Sequence, residues 1–160
     1  MIHQSDKDTR LCQQLQALCE EIDDVVSLFA NTSAFLNEVL EDINWVGFYI
    51  VKNGALQLSA FQGKPACVKI AKGKGVCGSA YAKRKVQRIA NVHAFKGHIA
   101  CDSASNSEIV LPIIIHDEVF AVLDIDSPKY DRFQAEDEHF LRACVMIIET
   151  ILTNILKNDL

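Results

Sequence analysis

Three of the six cysteines lie in short segments that contain glycine and lysine. Cys67 is part of QGKPACVKI, Cys77 of GKGVCGS and Cys101 of KGHIACDS. A thiolate forms near neutral pH where positive charge or a helix N-terminus stabilises it. Basic residues are close by in sequence, namely Lys69, Lys72, Lys74, Lys96 and His98. The pattern fits a nucleophilic thiol with resolving partners, in which a sulfenic acid condenses to a disulfide.

The other three cysteines are typical of core residues. Cys12 and Cys19 share the apolar side of a predicted helix, and Cys144 lies on the apolar side of another. Free cysteine commonly behaves as a small buried hydrophobe. The polar N-terminal segment MIHQSDKDTR lacks the apolar stretch of a secretory signal. We therefore expect a cytoplasmic protein, in a compartment where stable disulfides are rare.

Two other uses of the same segments are weaker. Zinc would take ligands from the three cysteines and His98, but no pair of cysteines has the CxxC spacing usual in structural zinc sites. Residues 73–78 read GxGxxG, which binds dinucleotides when a strand precedes it and an acidic residue follows about 20 positions on. Neither condition is met.

Acidic residues at the end of a predicted hairpin form a second cluster. Residues 108–115 and 119–126 are predicted strands, and a turn centred on Asp117 pairs Glu108 with Asp126. Alternation along the second strand places two sets of side chains on opposite faces: Val119, Ala121, Leu123 and Ile125 on one face, and Phe120, Val122, Asp124 and Asp126 on the other. The three carboxylates then form either a solvated rim or a partly buried site. In a buried site like charges raise one pKa, so that a protonated carboxyl can act as a general acid or the cluster can bind an ammonium group.

Trp45 and Tyr49 lie four residues apart on a predicted strand and therefore share a face. Gly47 between them is predicted to leave space above the sheet. The two aromatic residues are either ordinary core residues or the wall of an apolar pocket, which would suit a thioether or methyl group.

The elements that must position these residues are of two kinds. Apolar periodicity predicts helices over 5–22, 24–41 and 77–84 and a long helix from residue 135 onward, with Ser5 and Asp8 as a capping box. Strands are predicted over 44–51, 55–61, 86–90, 108–115 and 119–126, with Asn53-Gly54 as a hairpin turn. We expect an α+β fold in one domain over residues 1–160, with a mainly antiparallel sheet of about six strands. The terminal helices would cover one face and the site the other.

Charge divides the chain into three blocks. Residues 43–101 contain ten lysines and arginines and no acidic residue, whereas the flanking blocks are acidic and the net charge is −5. The overall balance argues against a nucleic-acid-binding protein. No apolar run approaches the ~20 residues of a membrane span. The basic block is either an electropositive setting for the cysteines or a counterpart to solvated acidic helices.

Five segments together resemble the free methionine-(R)-sulfoxide reductases, which are built on a GAF domain: NWVGFYIV, FQGKPACVKI, GKGVCGSA, FKGHIACDSASNSEIVLPI and LDIDSP. The resemblance extends from about residue 30 to 133. Two positions depart from the usual pattern, Asn91 where Asp is usual and Lys96 where Pro is usual. The resemblance implies reduction of free methionine-(R)-sulfoxide with recycling by thioredoxin, and no metal or organic cofactor. It leaves open whether the protein is a homodimer.

The resemblance also implies roles for individual residues. Cys101 matches the nucleophile, Cys67 the main resolving cysteine and Cys77 an accessory one. The carboxylates Glu108, Asp124 and Asp126 match the groups that bind and protonate the substrate. The aromatic residues Trp45 and Tyr49 match the pocket for its methyl end.

Two non-catalytic functions remain as alternatives. A GAF module could bind a small ligand or sense oxidants through Cys101, and it would then react once rather than turn over. An interaction module using the basic block would bind an anionic partner with strong salt dependence.

Overall fold

The computed structural model describes residues 3–97 and 104–159. The helices are α1 (Gln4–Cys19), α2 (Val25–Val39), α3 (Gly75–Lys83) and α4 (Ala135–Asn158), with a short 3₁₀ helix at Val92–Ala94. The strands are β1 (Trp45–Lys52), β2 (Ala55–Gly63), β3 (Lys69–Ala71), β4 (Gln87–Ile89), β5 (Ser107–Ile115) and β6 (Glu118–Ser127). The α+β class expected from the sequence is confirmed.

The six strands form one sheet in the order β3-β2-β1-β6-β5-β4, and each neighbouring pair is antiparallel. The β1–β2 hairpin turns at Asn53 and Gly54, which both have positive φ. Positive φ at both central residues is what a two-residue type I′ turn requires. The predicted antiparallel sheet and its first hairpin are therefore confirmed.

Three helices cover one face of the sheet. Residues of α1, α2 and α4 share a buried core with the inward side chains of β1, β5 and β6, and Phe29 of α2 stacks on Phe48 of β1 at 4.1 Å between ring centroids. Cys19 and Cys144 are fully buried there, and Cys12 is partly buried. The opposite face carries α3 and a second apolar cluster. This arrangement leaves the carboxyl-terminal end of β6 open to a site on the α3 side, as the sequence predicted.

The starts of α1 and α2 differ from the predicted ones, and one short strand was not predicted. Helix α1 begins after His3 and has no side-chain cap, so the predicted Ser5–Asp8 capping box is wrong. Asp24 caps α2 instead of belonging to it, accepting a hydrogen bond from the Ser27 amide at 2.9 Å. The three-residue strand β3 was not predicted, because so short a segment carries no alternation.

The β5–β6 hairpin contains a bulge that the sequence does not reveal. Its turn is His116-Asp117, both with positive φ, so Ile115 pairs with Glu118. An extra residue at Phe120 then shifts the register, and Glu108 pairs with Asp126 as predicted. The predicted faces of Val119 and Phe120 are exchanged, because the bulge turns Val119 toward the α3 side and Phe120 toward the helices.

Helix α4 is long and apolar enough to span a membrane by length and composition alone. The segment was not predicted as a membrane span, because charged residues interrupt its apolar runs. Its apolar side is buried against the sheet and α1, with Leu141, Cys144, Ile148 and Leu152 all fully buried. The core helix of a globular domain passes the same test.

Candidate active site

The ends of β1, β5 and β6 bring the three predicted carboxylates and Trp45 to one place. Glu108 and Trp45 both pair with Asp126, on either side of β6, and Gly47 pairs with Asp124. Directly paired residues in an antiparallel ladder lie on the same face. All three carboxylates therefore converge on the α3 side of the sheet, beside the aromatic residues of β1.

Two of the three carboxylates are buried. Glu108 is 7% exposed and Asp124 is 6% exposed, whereas Asp126 is partly exposed. The solvated-rim interpretation is thus wrong for Glu108 and Asp124. Burial raises the pKa of Glu108 well above its usual value, and the negative charges of Asp124 and Asp126 raise it further. Burial also raises the pKa of Asp124. The cluster is therefore built to keep a proton.

Asp124 lines a small cavity, and one oxygen of its carboxylate lacks a hydrogen-bond partner within the described part of the chain. Its Oδ1 atom is buried and has no hydrogen-bond partner among the described residues. The cavity beside it has a volume of about 40 Å³ and is lined by the carboxylates and by Trp45, Tyr49, Ala66, Ile70 and Val76 among others. A buried acceptor without a partner costs free energy. A ligand that donates a hydrogen bond or carries an ammonium group would remove that cost.

The aromatic residues form one wall of this cavity. The Trp45 ring lies 6.0 Å from that of Tyr49 and 5.2 Å from that of Phe61, stacked in both cases. A Cβ on Gly47 would lie 2.3 Å from the Phe61 Cβ and 2.7 Å from the Trp45 ring. The space expected above Gly47 is therefore filled, because Trp45 leans across it. The Trp45 Nε1–H and Tyr49 hydroxyl donate to the carbonyls of Lys64 and Cys67 at 3.1 and 2.9 Å, which fixes both rings.

Helix α3 places Cys77 in the acidic cluster and not among lysines. The Cys77 thiol is 5% exposed and points at Oε2 of Glu108 from 4.0 Å. Burial raises the pKa of this thiol well above its usual value, and the charges of Asp124 and Glu108 add to the effect. The predicted electropositive setting is thus wrong for the Cys77 thiol, because it faces the carboxyl of Glu108 while Lys72 and Lys74 are exposed. Cys77 is held as a thiol.

Cys67 differs from the other described cysteines. It is disulfide-bonded, whereas Cys12, Cys19, Cys77 and Cys144 are free. Its segment is held by the Tyr49 hydroxyl at the Cys67 carbonyl. Cys101, the predicted nucleophile, lies outside the described residues, as does His98.

A metal ion is a chemical alternative for this cluster. One ligand atom from each of Cys77, Glu108 and Asp124 lies within 4.8 Å of the others. The predicted zinc set, made of three cysteines and a histidine, is a different one, and its member Cys67 is in a disulfide. Proton storage and cation binding thus compete for the same three groups.

Ser105 is a residue of the cavity that was not predicted from the sequence. It is buried at the cavity edge and accepts a hydrogen bond from the Asn44 side chain at 3.1 Å. A polar residue in a loop carries no periodic signal, so Ser105 could not be singled out. Lys74, expected only as a basic neighbour of the cysteines, also lines the cavity next to the start of α3. Asn91, which departs from the usual pattern, caps the 3₁₀ helix by accepting from the His93 amide at 3.0 Å, and aspartate would accept there equally well.

Comparison with known proteins places this site in a family. A model described as GAF domain matches residues 15–153. The free methionine-R-sulfoxide reductase of Escherichia coli (strain K12) is 55% identical over 127 residues, which are 79% of this chain and 77% of that protein. The chain belongs to the free methionine-R-sulfoxide reductases, a branch of the GAF family.

Structures of two members of this reductase family agree with the fold. The substrate complex of the Staphylococcus aureus fRMsr superposes with a TM-score of 0.87 at 50% identity, covering 91% of this chain and 95% of that one. The substrate complex of the free methionine-R-sulfoxide reductase from Neisseria meningitidis superposes with a TM-score of 0.92 at 33% identity, covering 100% and 96%. The resemblance inferred from the five sequence segments is confirmed, and so is the GAF fold.

Proposed function

We propose that this oxidoreductase reduces free methionine-(R)-sulfoxide to methionine through Cys101, with electrons supplied by thioredoxin. The observation that carries the proposal is the buried Glu108–Asp124 pair beside an aromatic wall, in a chain 55% identical to a reductase of that name. A sulfoxide reductase needs a proton donor for the departing oxygen, and burial together with the neighbouring carboxylates raises the pKa of Glu108 well above its usual value.

The cavity suits the two ends of the substrate. The flat rings of Trp45 and Tyr49 offer an apolar surface to the methyl group of a sulfoxide. The unused Oδ1 of Asp124 and the partly exposed Asp126 suit an α-ammonium group. Because a peptide bond would remove the charge from that group, this placement favours a free amino acid over a protein-bound one.

The first chemical step transfers the oxygen to sulfur. The Cys101 thiolate attacks the sulfoxide sulfur while Glu108 gives a proton to the sulfoxide oxygen. The attack joins the two sulfur atoms. The hydroxyl group then moves from the substrate sulfur to the Cys101 sulfur as the sulfur–sulfur bond breaks, so that methionine is released with both electrons and Cys101 is oxidised to a sulfenic acid.

The second step restores the enzyme. A resolving thiol attacks the Cys101 sulfenic acid, water leaves, and a disulfide forms that thioredoxin reduces by exchange. We assign the main resolving role to Cys67, which is disulfide-bonded here while Cys77 is a buried free thiol. Cys77 then serves as an accessory thiol.

Both steps are two-electron sulfur chemistry, so we propose that the enzyme needs no metal and no organic cofactor. Treatment with a chelator should leave turnover unchanged, and loss of turnover restored by zinc would contradict this. Recycling by thioredoxin agrees with a cytoplasmic location, which we also propose.

A coupled assay of NADPH oxidation with thioredoxin and its reductase tests the proposed function. The substrates are the free R sulfoxide, the free S sulfoxide and a peptide containing the R sulfoxide. Sustained turnover of the free R form alone, lost in Cys101→Ser, is the expected result. A single stoichiometric reaction without turnover would favour an oxidant sensor instead.

A further inference from the structure

An exposed apolar side chain lies next to the disulfide. Val68 is 65% exposed, whereas the adjacent Cys67 is partly exposed and Cys77 is 5% exposed. A large exposed hydrophobe is ordinary by itself. Its position beside a redox-active sulfur that a protein reductant must reach is what gives it meaning.

The backbone around Val68 is ordered and leads into a strand at the edge of the sheet. Strand β3 (Lys69–Ala71) lies at the end of the strand order and, within the described residues, pairs with β2 alone. The inner side of the segment is fixed by the hydrogen bond from the Leu58 amide to the Val68 carbonyl at 2.8 Å and by the Tyr49 hydroxyl at Cys67. An ordered, extended edge offers main-chain groups to a docking protein.

Charge selects the partner further. Lys64 and Lys69, which flank Cys67 and Val68 along the chain, are both exposed. The docking face of the partner should therefore combine an apolar patch with acidic residues. The disulfide adds the chemical requirement that this partner be a dithiol.

We propose that the protein dithiol reductant docks on the segment 64–71, with Val68 as its apolar contact, and attacks the sulfur of Cys67. This inference rests on the proposed function. The attacking thiolate forms a mixed disulfide with Cys67 and expels the other sulfur of the enzyme's disulfide as a thiolate. The second thiol of the reductant then attacks its own sulfur in the mixed disulfide, releasing Cys67 and leaving the reductant oxidised.

A trapping experiment tests the site of attack without the substrate. The enzyme is oxidised to its disulfide with diamide and mixed with thioredoxin whose second active-site cysteine is replaced by serine. Mass spectrometry of the trapped product should place thioredoxin on Cys67. Attachment to Cys101 or Cys77 would overturn the proposal, as would a failure of this thioredoxin to react with enzyme that dithiothreitol reduces readily.

Kinetics test the docking surface. Val68→Ser should lower the ratio of thioredoxin-supported to dithiothreitol-supported kcat/KM about tenfold, equivalent to ~1.4 kcal/mol. Lys69→Glu should lower the same ratio more at low salt than at high salt. The matched control is Val26→Ser on α2, which is 57% exposed on another side of the molecule, and it should leave the ratio unchanged.

The outcomes separate the inference from the function on which it rests. An unchanged ratio in Val68→Ser, or an equal loss in Val26→Ser, would overturn the docking surface while turnover of the free R sulfoxide persists. If neither reductant supports turnover in the wild type, the proposed function fails, and the diamide trap still decides whether thioredoxin attacks Cys67.

Discussion

Replacing Glu108 by glutamine separates its catalytic role from its structural one. Glutamine has nearly the shape of a protonated glutamic acid but cannot give up a proton. We expect Glu108→Gln to lower kcat/KM for the free sulfoxide by about 10²- to 10⁴-fold, the usual contribution of a general acid. Its stability at neutral pH should equal or exceed that of the wild type, because the variant removes a buried group that is costly to ionise.

The pH dependence of the free energy of unfolding gives the size of the expected difference in stability. Because the folded-state pKa of Glu108 is raised, the native protein binds more protons than the unfolded chain between the ordinary glutamate pKa and the raised one. The free energy of unfolding therefore falls as pH increases through this interval, by up to about 1.4 kcal/mol per pH unit for one proton. Below the ordinary pKa the contribution is fully present.

Urea unfolding at a series of pH values from about 4 to about 9 measures this slope. The range runs roughly from the ordinary titration of a carboxyl to that of a thiol. The wild type should lose stability toward higher pH relative to Glu108→Gln. Glu118→Gln is the control, because Glu118 is exposed at the other end of the same hairpin, and it should follow the wild type. Parallel curves for wild type and Glu108→Gln, or unchanged turnover in the variant, would refute the assignment.

Four further substitutions have defined outcomes. Cys67→Ser should lower thioredoxin-supported turnover at least about tenfold while Cys77→Ser retains most of it, and the reverse order in the coupled assay would exchange the roles of the two thiols. Gly47→Ala should lower the free energy of unfolding, measured in urea, by about 1–3 kcal/mol, because the new Cβ would lie 2.3 Å from the Phe61 Cβ. An unchanged free energy would show that Trp45 and Phe61 can move apart. Tyr49→Phe removes the hydrogen bond to the Cys67 carbonyl and should lower the free energy of unfolding by about 0.5–1.5 kcal/mol. Tm should fall by roughly 2–4 °C for each kcal/mol lost. An unchanged Tm would mean that water replaces the hydroxyl.

Alternation and turn chemistry were sufficient to predict the acidic cluster. The pairing of Glu108 with Asp126 was predicted from a hairpin centred on Asp117. The actual turn is centred between His116 and Asp117, and the extra residue at Phe120 restores the predicted pairing. The bulge itself could not be predicted. Val119 and Phe120 are both apolar, so either one can face either core and the sequence carries no sign of the exchange.

The environment of Cys77 could not be predicted from its neighbours in sequence. Lysines flank Cys77 along the chain and are exposed, whereas α3 aims the Cys77 thiol at Glu108. Neighbours along the chain are therefore a poor guide to the charge that a side chain meets at a helix start. Burial of Glu108 was left open for a similar reason, because α3 and the aromatic residues that cover it come from distant segments.

The most direct test of the account is a single turnover without reductant. Fully reduced enzyme is mixed with one equivalent of free methionine-(R)-sulfoxide, the methionine released is quantified, and the cysteines are mapped by mass spectrometry. The account predicts one methionine per chain and a new disulfide between Cys67 and Cys101. Absence of methionine, or its release with Cys101 still a free thiol, would contradict it.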